Sequence, residues 1–70
     1  MSDEAFNMSL RKFLKTVGVT SQREIEEAVR AAREAGALPD GTVTARVVLK
    51  IDGLDLEHEV AGEIEMPGDA

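Results

Sequence analysis

The chain lacks cysteine, tryptophan and tyrosine, and has one histidine, two prolines and two phenylalanines among its 70 residues. Without cysteine it can form no disulfide, thiolate zinc site, iron–sulfur cluster or cysteine nucleophile. Any aromatic stacking falls to Phe6 and Phe13. No apolar run approaches the roughly 20 residues needed to span a bilayer. The opening Ser2-Asp3-Glu4 stands where a secretory leader would carry basic residues, so a cytoplasmic location with no membrane attachment is expected. Glycine-rich phosphate loops, Gly-x-Ser-x-Gly elbows, His-Glu-x-x-His pairs and Asp-rich calcium loops are all missing. Ser2, Ser9 and Ser21 have no general base at a recognisable spacing. A non-enzymatic protein without catalytic residues, cofactor or metal is the expectation.

What is present suits one small folded domain over residues 1–70. The chain is 43% hydrophobic and 31% charged, too apolar for a disordered tail. A chain this short buries only roughly 60% of its unfolded surface, so its core is thin. Residues 1–36 carry six basic and six acidic side chains, which cancel. Residues 37–70 carry two basic and eight acidic ones and therefore hold the whole net charge of −6.

Phe6, Leu10, Phe13, Leu14 and Val17 recur at steps of three and four, which sets them on one stripe of a helix over about residues 3–17. Gly18 can stop a helix in the left-handed region. Thr20 and Ser21 are good N-caps, and Ser21 with Glu24 has capping-box spacing. A second helix over about 21–35 is expected from Ile25, Ala28, Val29 and Ala32, ending at Gly36 with Leu38 as the apolar residue that follows a glycine stop.

After Pro39-Asp40-Gly41 the period falls to two. Val43, Ala45, Val47, Leu49 and Ile51 alternate with Thr44, Arg46, Val48 and Lys50, a strand over about 42–51 with one apolar face. Asp52-Gly53 signals a hairpin, with a type I′ turn as the expected geometry, and the return strand covers about 54–65. A two-residue turn sets Val47 opposite His58 and Arg46 opposite Glu59. A four-residue loop sets Val47 opposite Val60 and Val43 opposite Ile64. Both registers keep the same side chains on the same face. The tail 67–70 is expected to fray. The expected fold class is α+β, with two N-terminal helices packed on a C-terminal antiparallel β-hairpin (ααββ).

Three features invite a functional reading. The helical pair has the outline of a helix-turn-helix, with Gln22 and Arg23 opening the second helix and Arg11, Lys12 and Lys15 available to phosphates. Glu24, Glu26 and Glu27 and the acidic total weigh against it, so nucleic-acid binding is the alternative. His58 shares the apolar face of its strand while Glu57 and Glu59 point away, which favours a structural histidine over a metal ligand or base. Asp55, Glu57, Glu59, Glu63 and Glu65 form an acidic face opposed by Arg46 and Lys50, either a solvated surface or a contact for a protein partner. Val48 and Ala61 interrupt that polar face, and the unpaired hairpin edges would suit a homodimer. The expected function is a small protein-interaction module. Its candidate contact residues are Arg11, Lys12, Lys15, Gln22, Arg23, Arg46, Glu57, Glu59 and Glu63.

The run FNMSLRKFLKTVGVTSQREIEEAV, continued by GLDLEHEVAGEIE, resembles a family of short bacterial proteins, mainly alphaproteobacterial, classed as a domain of unknown function. The resemblance spans about Glu4 to Met66. It implies a bacterial, cytoplasmic source and two helices followed by a hairpin, and it brings no functional residues.

Overall fold

A computed structural model of the chain describes residues 3–68. It is α+β: a single α1 (Glu4–Glu34) precedes β1 (Thr42–Lys50) and β2 (Glu57–Glu65). The chain divides between Ala37 and Leu38 into two compact units, one helical and one a two-stranded antiparallel sheet.

The two helices expected from the sequence are one helix of 31 residues. Gly18 does not adopt a positive φ and continues the helix. Thr20, read as a cap, instead bonds within the helix. Thr20 Oγ1 donates back to the Thr16 carbonyl at 2.7 Å, and Thr16 Oγ1 donates to the Lys12 carbonyl at 3.0 Å. The physical reason is a comparison of costs. A glycine inside a helix costs about 1 kcal/mol relative to alanine. Breaking the helix there would strip up to four N–H and four C=O groups of their partners. No turn lies at 18–20 and no helix starts at Ser21, so the helix-turn-helix outline is absent.

The helix end matches expectation. Gly36 has φ 72°, its N–H donates to the Arg33 carbonyl at 3.1 Å, and the Ala37 N–H donates to the Ala32 carbonyl at 2.8 Å. Those two bonds make a Schellman motif, which satisfies carbonyls the helix would otherwise leave open. Leu38 follows it half-buried.

In the hairpin, Val47 lies opposite Val60, Val43 opposite Ile64 and Ala45 opposite Gly62, the register of the four-residue alternative. This register joins β-branched residues across the strands, pairs worth about 0.2–1 kcal/mol each. The two-residue register would set Val47 against His58 and Val43 against Gly62 instead. At the base of the ladder the Met66 N–H donates to the Gly41 carbonyl at 2.7 Å. At the tip the Leu54 N–H donates to the Ile51 carbonyl at 3.2 Å. Gly53 has φ 88°, but no described non-glycine residue has a positive φ, so Asp52 does not, and the turn is not type I′. The longer connection removes the demand for two left-handed residues in succession. It also shortens the return strand, leaving Leu54, Asp55 and Leu56 outside β2. Pro67 and Gly68 lie beyond β2 in neither helix nor strand, and residues 69–70 of the expected tail lie outside the described residues.

Candidate interaction surfaces

Side chains alternate along a strand, so the register sorts the hairpin into two faces. One carries Val43, Ala45, Val47 and Leu49 with His58, Val60, Gly62 and Ile64. The other carries Thr42, Thr44, Arg46, Val48 and Lys50 with Glu57, Glu59, Ala61, Glu63 and Glu65. Asp55, grouped with the acidic face from the sequence, lies in the connection instead of on β2.

On the polar face Glu59 is directly opposite Val48, with Arg46 opposite Ala61. The Arg46 guanidinium reaches diagonally to Glu59, Nε to Oε2 at 3.5 Å, with the two side chains 66% and 54% exposed. A pair so open to water contributes little. Four strand glutamates on this face outnumber Arg46 and Lys50 and leave it net negative. His58 is exposed on the other face opposite Leu49, away from Glu57 and Glu59. Among the described residues, no three histidine, aspartate or glutamate side chains gather in a way that could hold a metal ion. Ser9 Oγ donates to the Phe6 carbonyl at 2.9 Å, Ser21 is half-buried within α1, and Ser2 lies outside the described residues.

At about 3.6 residues per turn, the six basic residues of α1 (Arg11, Lys12, Lys15, Arg23, Arg30 and Arg33) fall within about a third of its circumference. Gln22 lies among them and donates from Nε2 to Glu26 Oε2 at 3.2 Å. The structure thus brings the candidate residues Arg11, Lys12, Lys15, Gln22 and Arg23 onto one side of a continuous helix. Their charge is uneven along it. Residues 5–23 hold four basic side chains and no acidic one, whereas residues 24–34 hold four acidic and two basic.

The opposite side of α1 is a surface that the two-helix reading divided. Phe6, Val17 and Ala28 stand at steps of eleven residues, as do Leu10, Ser21 and Ala32, and Leu14 stands eleven before Ile25. Eleven residues make three turns at about 3.67 residues each, so the stripe keeps its side of a nearly straight helix. That spacing runs unbroken through Gly18 and was the available signal. Among the described residues no side chain is fully buried, and Phe6, Phe13 and Leu14 are 63%, 50% and 51% exposed. No helix of the described residues is long and apolar enough to cross a membrane.

A family model, described as a family of unknown function (DUF6494), matches residues 1–67. The chain belongs to this family. The match takes in both the helix and the hairpin. No curated protein and no solved structure matches the chain significantly.

Proposed function

We propose that the chain is a small non-enzymatic protein-interaction module. The observation that carries this reading is the large apolar side chains standing exposed on regular elements: Phe6, Phe13 and Leu14 on α1, and Val47 and Val60, 49% and 53% exposed, on one hairpin face. Contiguous apolar surface on an ordered scaffold marks a contact site far more often than a solvated one. The glutamate face of the hairpin and the basic side of α1 are opposite in sign, and each is suited to orienting a partner of complementary charge.

The test is affinity capture from the host lysate by the tagged full chain, with and without nuclease, beside a Val60→Asp variant. The expected result is a protein, another copy of the chain included, that survives nuclease and is lost or reduced on changing an apolar face. Capture that disappears with nuclease would overturn the reading in favour of nucleic-acid binding, and capture of nothing would overturn it outright.

A further inference from the structure

We infer that two copies of the chain join through the free edge of β1, antiparallel about a two-fold axis perpendicular to the sheet at Val47, into one four-stranded sheet. This rests on the interaction-module reading and names its partner and surface.

The backbone shows which groups are open. The Met66 N–H bonds to the Gly41 carbonyl, so in a register that sets Val43 opposite Ile64 it is the apolar-face residues of the two strands that exchange the ladder bonds. The polar-face residues between them turn their N–H and C=O groups outward. On β1 these are Thr42, Thr44, Arg46, Val48 and Lys50, and on β2 they are four glutamates and Ala61. Both edges are unpaired among the described residues.

The two edges are unlike. Any antiparallel pairing of β2 with its own copy sets at least one glutamate directly against another, which is destabilising. β1 carries no such guard. Its nine residues include no glycine or proline, and five of them are β-branched.

The side chains also select a register. Centred on Arg46, the pairing opposes Arg46 to Arg46, and centred on Val48 it opposes Arg46 to Lys50. Centred on Ala45, it leaves Lys50 outside the paired residues of β1 and puts alanine at the middle. Centred on Val47, it sets Arg46 against Val48, Thr44 against Lys50 and Leu49 against Ala45, with no like charges opposed. Val47 and Val60, 49% and 53% exposed in the single chain, then form an unbroken row of four valines with their counterparts. The edges left outside are the two that carry glutamates, so the assembly closes at two. Joining β1 to β2 of another copy would match basic with acidic side chains, but it leaves one edge of each kind open and does not close.

Light scattering or sedimentation of the wild-type chain over a range of concentrations is expected to reach twice the monomer mass of 7.5 kDa and stop there. Val48→Pro removes an outward N–H and spares every bond to β2, and Ala61→Pro does the same on the other edge. Val48→Pro should raise the monomer–dimer midpoint at least about tenfold, whereas Ala61→Pro leaves it unchanged. A second measurement alters neither edge. The chain has no cysteine of its own, and Val47→Cys should form an intermolecular disulfide much faster than Ala45→Cys or Val60→Cys. A wild-type monomer at every concentration overturns the inference, as do species growing beyond two copies. Equal effects of the two prolines overturn it too, as does faster linkage through Ala45→Cys or Val60→Cys. A monomer that still captures a nuclease-resistant protein would overturn only this pairing and leave the module reading standing.

Discussion

Replacing Gly18 with alanine should stabilise the protein, and the sign of the effect tests the continuity of α1 directly. Gly18 lies in the interior of a helix running from Glu4 to Glu34, without a positive φ, and a Cβ built on it meets nothing within 4 Å. Alanine there would relieve the entropic cost of an interior glycine at no steric penalty, a gain of about 0.8–1.0 kcal/mol. For a domain of this size that corresponds to a rise of about 4–8 °C in melting temperature. The assay is thermal and urea unfolding followed by circular dichroism at 222 nm, at matched protein concentration so that self-association does not shift the baseline. Gly36→Ala is the internal control. Its site is just as open, but φ is 72°, and a side chain held in the left-handed region costs about 1–2 kcal/mol. The same chemical change at two uncrowded glycines should therefore move stability in opposite directions. If Gly18→Ala destabilises by a similar amount to Gly36→Ala, Gly18 is a left-handed stop, α1 is two helices, and the continuous stripe is lost with it.

The hydroxyl of Thr20 offers an independent check on the same segment. Since it bonds to the Thr16 carbonyl inside the helix, Thr20→Ala should be neutral or stabilising by up to about 0.5 kcal/mol, whereas loss of a true N-cap would cost about 1 kcal/mol. Urea midpoints for the two proteins separate these outcomes. For Arg46 and Glu59, a double-mutant cycle to alanine should give a coupling energy below about 0.5 kcal/mol that fades as salt is added, because both side chains are more than half exposed. A salt-insensitive coupling above about 1.5 kcal/mol would mean that the pair is enclosed by something a single chain does not supply.

The hairpin was legible because two signals of different range agreed. The period of two fixed the faces, and either register consistent with Asp52-Gly53 preserved them. What alternation could not choose was the loop length, since a shift of two residues in the partner strand leaves every side chain on its own face. The choice lies in the cross-strand pairs, with Val47 against Val60 and Val43 against Ile64 joining β-branched side chains that the shorter turn would separate. In α1 the local signals misled. Gly18 followed by Thr20, Ser21 and Glu24 spells a stop and a restart when read over seven residues. The eleven-residue steps from Phe6 to Val17 to Ala28 span the same place without losing phase. Two helices joined by a turn would have no reason to keep their apolar sides aligned to a common period, so the longer-range pattern carried the better information.

The same difference of range governs the candidate surfaces. Residue type alone identified Arg11, Lys12, Lys15, Gln22 and Arg23 as a basic group and Glu57, Glu59, Glu63 and Glu65 as an acidic one, and helical or strand periodicity places each group on one side of its element. The apolar stripe of α1 acquires meaning only once the helix is continuous. Divided at Gly18, its first half is a short aromatic patch and its second half a set of alanines too small to anchor anything. Joined, the two halves form one apolar side that follows most of a 31-residue helix.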